Sequence, residues 1–221
     1  MTFRFGFSAI VLVLLLAIGG CKLVKYSDDP ARTGSASGTA SLQGQDAESG
    51  LVEMWDEKVV PHFRDEATDL AVLLPAIRSD LDAAGKEYGH RQEGGFGAWN
   101  FATRLTGVIV AANTETRAAT AGVDIDDDDI ADATLQLGPV IRGTSVRDTL
   151  PFIDFSDYRD QIAFAQLSRS LNGRAYETAL KDLDREGLVG QRIAVSGAMS
   201  LTAADEDVLI TPVVVSKGGN Q

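Results

Sequence analysis

One cysteine, Cys21, closes an N-terminal apolar run in the order Ile18-Gly19-Gly20-Cys21, and it limits how everything after it can fold. Arg4 gives the run a positive start. Phe7 to Ile18 form an apolar stretch too short to span a bilayer and stay, and two glycines supply the small residues a signal peptidase requires. This is the grammar of a bacterial lipobox. Residues 1–20 are expected to leave as a signal peptide, and Cys21 to become a lipidated N-terminus whose sulfur is consumed in a thioether. An exported chain with no other thiol has no disulfide framework, no cysteine nucleophile and no thiolate metal site. It must be held by its core alone.

Lys22 stands after the cysteine, where an aspartate would argue for inner-membrane retention. The expected address is therefore the periplasmic side of a bacterial membrane, with the outer membrane favoured. Attachment through two or three acyl chains is effectively permanent, at about 0.8 kcal/mol per buried methylene. The formal charge of −12 disfavours nucleic acid as a partner and leaves cations and basic protein surfaces open.

Beyond residue 20, roughly 200 residues remain, enough for one generous domain or two small ones. Residues 21–48 hold the lipidated cysteine and a tether rich in Gly, Ser, Thr and Ala, with a flexible reach of about 30 Å. Residues 49–95 read as helical. Val52, Trp55 and Val59 recur at helical spacing up to Pro61, and Leu70, Leu74, Ile77, Leu81 and Ala84 form a second stripe that Pro75 should kink. Trp55 fits best as a core anchor. Gly94-Gly95-Phe96-Gly97 superficially has the look of a phosphate loop, but without a flanking strand and helix it reads as a joint.

Residues 96–155 turn to β texture, with apolar runs at Leu105 to Ala112, Ala118 to Ile125 and Ala133 to Arg142. Residues 156–186 return to helix. Ser156 is placed to cap it, Ile162, Phe164, Leu167 and Leu171 stripe it, and Asn172-Gly173 should end it. Residues 187–217 hold two more strands, Arg192 to Leu201 and Val208 to Ser216. An echo joins the β segments: Gly107 to Val110 leading to Gly138-Pro139 parallels Gly190 to Val195 leading to Thr211-Pro212. It leaves open either a duplicated small barrel or a chance likeness of short β runs. The expected class is α+β, a β-barrel core with amphipathic helices packed on it.

Two segments carry the candidate sites. In Asp124-Ile125-Asp126-Asp127-Asp128-Asp129, with Asp132 beyond, carboxylates at 124, 126, 128 and 132 match four ligand positions of a calcium loop. The match then fails, because Asp129 sits where a glycine is needed and Leu135 where a bidentate glutamate is needed. A solvated acidic hairpin loop is the plainer reading. The other segment runs from Gly138 to Asp148. Arg142 and Arg147 could clamp an anion in fork geometry, oriented by Asp148 and the Thr144 hydroxyl, or Arg147 and Asp148 could be a structural pair at a corner. Gln161 and Asn172 join this segment only if the following helix packs back on it. His62 and His90 are far apart in sequence and lack a metal spacing, so each reads as lying at a solvated helix end. With no nucleophile elbow, P-loop or dinucleotide fingerprint, neither an enzyme nor a cofactor is expected.

Trp99-Asn100-Phe101, Thr116-Arg117-Ala118-Ala119-Thr120, Gly138-Pro139-Val140-Ile141-Arg142-Gly143-Thr144 with Arg147-Asp148, and Phe152-Ile153-Asp154-Phe155 with Gln161-Ile162-Ala163-Phe164-Ala165 and Leu171-Asn172 form one pattern. Together they resemble a bacterial family of predicted periplasmic lipoproteins of unknown function, often encoded beside sugar-type ABC transporters. The resemblance runs from Trp55 to Pro212. It implies a β-barrel fold with OB-like parts and an accessory role near a transporter or another envelope protein, and it carries over no catalytic residue. The chain departs from the pattern at Asp160, where an asparagine is expected. The expected function is thus a lipid-anchored binding or accessory protein without catalysis; the alternative is a sensor of an anion or sugar phosphate at Arg142 and Arg147.

Overall fold

Fifteen residues of continuous strand, β1 (Trp99–Asn113), organise the molecule. In the computed structural model, which describes residues 45–91 and 97–217, Phe101, Leu105 and Ile109 of β1 turn into one core and Ala102 into another. That is the period of two every strand imposes. β1 is joined by β2 (Ala118–Asp124), β3 (Ala133–Pro139), β4 (Arg192–Leu201) and β5 (Leu209–Lys217). It pairs antiparallel with β4 from Trp99↔Leu201 to Val108↔Arg192, and its C-terminal part pairs with β2. β2 continues to β3, β3 meets β5 in parallel at Thr134↔Leu209 and Leu135↔Ile210, and β5 returns to β4.

The circuit β1-β2-β3-β5-β4-β1 is closed. Five strands can close so tightly only by bending, and three ladders each carry one surplus residue: Val110 on β1, Leu137 on β3 and Val213 on β5. Two glycines permit the tightest approaches. A Cβ on Gly107 would lie 2.1 Å from the Asp124 carbonyl oxygen, and one on Gly197 would lie 2.3 Å from that of Thr211.

The helices are α1 (Gln45–Met54), α2 (Val60–Asp65), α3 (Leu70–Ser79), α4 (Leu81–Tyr88), α5 (Ser145–Thr149) and α6 (Gln161–Ala175). Leu70, Leu73, Leu74 and Ile77 of α3 and Ala84 of α4 share the barrel core with Leu135, Val195 and Ile210. A second core lies outside the barrel. Trp55, Val59, Phe63, Val146, Leu150, Phe164, Leu167 and Leu171 cover the outward-facing Ala102, Ala198 and Val213. The expected α+β barrel is therefore what forms, and Trp55 is a core anchor, 1% exposed. Full burial of each large apolar side chain contributes about 1.5 to 3 kcal/mol.

Several expectations are corrected. The two β segments supply strands to one barrel, so their echo does not mark two barrels. Pro61 does not stop the first helix: a π-helical turn, Trp55–Val59, links α1 to α2 and widens the hydrogen-bond ladder where Pro61 has no N–H to give. α3 runs on through Pro75. The break comes at Asp80, extended at φ −160°, whose carboxylate accepts the Ala83 N–H at 3.0 Å and caps α4. α6 is capped by Asp160 on Ala163 N, at 2.8 Å, rather than by Ser156. It also runs through Asn172-Gly173 into a π-helical turn, Tyr176–Leu180. α1 begins at Gln45, inside the stretch read as tether. Residues 1–20, Cys21, the tether up to residue 44, and 92–96 of the glycine joint lie outside the described residues.

Candidate functional site

After β3 the chain leaves the barrel as a loop, residues 140–144, and the backbone of this loop is tied at several points. Gln136, buried on β3, accepts the Arg142 N–H at 2.9 Å and donates to the Arg142 carbonyl at 3.0 Å. The same amide donates to Thr211 Oγ1 at 2.8 Å, across the line where β3 meets β5. Asn172 Nδ2 of α6 donates to the Gly143 carbonyl at 3.0 Å. Arg185 grips the loop's entry, giving Nη1 to the Gly138 carbonyl and Nη2 to that of Leu137, both at 2.8 Å. What remains outward is side chain: Val140, Arg142 and Thr144 are exposed. The Arg142 guanidinium has no ion pair or hydrogen bond among the described residues.

Arg147 behaves differently. It is 9% exposed, and its guanidinium lies 3.6 Å from the centroid of the Phe164 ring. Nη2 pairs with Asp148 Oδ1 at 2.6 Å, Nε donates to the same oxygen at 2.7 Å, and Nη1 donates to the Phe164 carbonyl at 3.1 Å. Thr144 Oγ1 donates to the other Asp148 oxygen at 2.5 Å. Thr144, Arg147 and Asp148 thus form a corner that fastens α5 to α6, as a cation stacked on an aromatic face and satisfied by a carboxylate. The two arginines do not act as one outward clamp. Asn172 does reach the loop. Gln161, exposed at the start of α6, has no bond to it.

The acidic loop is built around one buried carboxylate. Asp124, 2% exposed, accepts the N–H groups of Asp126 at 3.0 Å, Asp127 at 2.9 Å and Asp129 at 2.7 Å. Burial works to raise its pKa, but the N–H groups of Asp129, Asp126, Asp127 and Asp128 outweigh it and hold the carboxyl below its ordinary range. Asp127 and Asp129 adopt left-handed backbone, φ 64° and 65°, which aspartate tolerates in turns. Asp124, Asp126 and Asp128 each offer an oxygen within 4.8 Å of the others. Asp132 is used elsewhere: its Oδ2 accepts the Ile125 N–H at 2.9 Å.

His62 is not at a solvated helix end. It packs edge-on to Phe63 and Phe152, and its Nε2 is buried with no partner. Burial pushes its pKa down; the Glu66 charge opposes this and His90 adds to it, so the fold does bring the two histidines near each other.

Gln136 and Arg185 organise the loop, and motif reading passed over both. The available signal was a lone amide between leucines, Leu135-Gln136-Leu137, in a strand facing a core.

A family model described as "Predicted periplasmic lipoprotein (DUF2291)" matches residues 11–216. The chain belongs to the DUF2291 family. Family membership accounts for an N-terminal lipid anchor and a location on the periplasmic side of a membrane. Among the described residues no helix is long and apolar enough to cross a membrane. A crystal structure of an OB-fold protein from Thermotoga maritima MSB8 is similar at a TM-score of 0.64 and 17% identity, over 80% of this chain and 100% of that one. At that identity the likeness concerns the fold, and it agrees with the closed β1-β2-β3-β5-β4 circuit of this DUF2291 chain. No curated protein matches the DUF2291 chain.

Proposed function

We propose that this protein is a non-enzymatic, lipid-anchored binding module of the cell envelope whose contact surface is the loop 140–144. The observation that carries the reading is the fixing of that loop's main chain by Gln136, Asn172 and Arg185 while Val140 and Arg142 stay exposed. Ordering a loop residue costs about 1 to 2 kcal/mol of backbone entropy, and a loop already ordered before binding spares a partner that cost. Exposed arginine on a rigid support is a common anchor for protein contacts. An anion sensor using both arginines is less well supported, since Arg147 is engaged with Phe164 and Asp148.

The finer reading is that the partner is a component of a sugar-type ABC transporter. It rests on the family resemblance of the sequence. Retention at the outer membrane, read from Lys22, is likewise part of the proposal, and density separation of inner and outer membranes tests it. Affinity purification from detergent-solubilised envelopes tests the contact. Wild-type protein is expected to retain an envelope protein that Arg142→Glu loses. Equal recovery by both would remove the loop from the account.

A further inference from the structure

Eight large apolar side chains are exposed among the described residues, and three of them, Phe152 at 39%, Phe155 at 43% and Ile162 at 67%, fall between the end of α5 and the first turn of α6. The other five are scattered singly along the chain. Within this connection the chain sorts its apolar residues: Leu150 and Ile153 enter the second core, whereas each exposed ring stands edge-on against a ring of a neighbouring helix. Phe152 meets His62 of α2 at 6.4 Å, and Phe155 meets Phe164 of α6 at 5.3 Å. Both rings are propped in place while a large part of their surface stays in water.

The polar groups beside them do not form an anion-binding face. Lys58, in the π-helical turn, brings its Nζ to 6.0 Å from the Phe152 centroid, as a lysine does when its stem covers apolar surface and its ammonium stays wet. The carboxylates of the connection turn back on the main chain: Asp154 accepts the Ser156 N–H at 2.7 Å, and Asp160 accepts the Ala163 N–H at 2.8 Å and pairs with Arg159 at 3.0 Å. With Asp154, Asp157 and Asp160 against Lys58 and Arg159, the surroundings offer no positive excess. The contact they suit is apolar and electrically neutral.

A lipid-anchored chain has a surface of that chemistry close by. Residues 22–44 separate Cys21 from Gln45, and a chain rich in Gly, Ser, Thr and Ala of that length reaches about 25 Å. From Gln45, α1 and the π-helical turn carry the chain to Lys58, about 20 Å along the axis at 1.5 Å per residue, with Leu51 and Met54 against the same second core. The exposed rings thus lie within the distance that the anchor allows. Because the anchor makes any second contact intramolecular, a patch too small to hold a free protein on a bilayer is sufficient here. We infer that Phe152, Phe155 and Ile162 form a second, non-covalent membrane contact, seated shallowly among zwitterionic headgroups, which sets the face that the domain turns to the bilayer.

The test uses the full lipidated protein, in which the Cys21 sulfur is consumed and a nitroxide couples only to an engineered thiol. Labels at Ile162→Cys and, as a control, at Val189→Cys, 58% exposed, are compared in detergent and in phosphatidylcholine vesicles. On reconstitution the label at 162 is expected to become more accessible to oxygen and at least about threefold less accessible to a water-soluble nickel chelate, with no change at 189. About 0.5 M sodium chloride should leave this shielding intact, since it is not ionic. Phe152→Ser with Phe155→Ser should abolish it, and Phe152→Trp with Phe155→Trp should keep it, the melting temperature of each being followed in parallel. Equal behaviour at the two positions, loss of shielding in salt, or the same shielding in the serine variant overturns the inference. So do dipolar broadening between labels, which assigns the patch to a second copy, and shielding confined to native envelopes, which assigns it to another protein.

Discussion

Arg147 lies 3.6 Å from the centroid of the Phe164 ring while its guanidinium pairs with Asp148 at 2.6 Å, so of the two arginines offered to an anion this one is a fastener between α5 and α6. Its side chain is 10% exposed and that of Asp148 is 18% exposed. Removing one member of a pair so enclosed leaves the other uncompensated, at about 3 kcal/mol. Arg147→Ala should lower the melting temperature by about 6 to 12 °C for a domain of this size. Arg147→Lys should recover little, because an ammonium neither stacks nor forks. Arg142→Ala, by contrast, should stay within about 0.5 kcal/mol of wild type. Chemical denaturation of the three variants separates the two arginines.

Gly85 and Trp99 make a second prediction. A Cβ at position 85 would sit 2.1 Å from Cδ2 of the indole, and the ring cannot slide away. Its Nε1 donates to Asp82 at 2.7 Å and the Arg91 guanidinium lies 4.0 Å from its centroid. Gly85→Ala should therefore destabilise by about 3 kcal/mol despite the better helix propensity of alanine. In the double variant with Trp99→Ala the losses should be less than additive, which equilibrium unfolding would measure.

The histidine at the α2–α5 contact makes stability depend on pH. Burial lowers the pKa of His62 in the fold, relative to about 6.5 in the unfolded chain. The neutral form is favoured in the native state, so its contribution is complete above about pH 6.5 and is lost as pH falls from there through the folded value. Melting temperature should decline between about pH 7 and pH 5, and His62→Gln should flatten that decline. A wild-type profile that is level over this window, or a variant profile equally steep, would contradict the role of His62.

Much of this architecture is legible in the chain because local pattern and tertiary packing agree there. The β runs at Leu105, Ala118, Ala133, Arg192 and Val208 all become barrel strands. The misread positions are those where a side chain serves a distant element. Asn172-Gly173 looks like a helix stop, yet Asn172 is spent on the Gly143 carbonyl and the helix continues. Pro61 looks like a terminator until the π-helical turn before it is seen. The anchoring of the 140–144 loop depends on Gln136 and Arg185, the latter more than forty residues away by the separation of its partners, and nothing in local spacing announces such a contact. His90 comes close enough to His62 for its charge to be felt only because α4 leads into the short Gly89–His90 strand that pairs with β1.

Gln136 tests whether the loop is held as described. Gln136→Ala leaves the Arg142 N–H and carbonyl and Thr211 Oγ1 without their shared partner, a loss of about 2 to 3 kcal/mol. Hydrogen exchange should show faster exchange at Arg142 and its neighbours with the barrel strands still protected. Unchanged exchange in residues 140–144 would mean that the loop is ordered by something else.

The central claim, that a rigid 140–144 loop makes the contact with an envelope partner, is tested most directly in intact cells. A photo-activated cross-linking side chain is placed at position 142, with control positions at Val72 and Leu209, which are 55% and 42% exposed on other parts of the surface. A discrete protein adduct from position 142, absent from both controls and diminished in a Gln136→Ala background, is the predicted result. Adducts of equal yield from all three positions, or none from position 142 at normal expression, would contradict it.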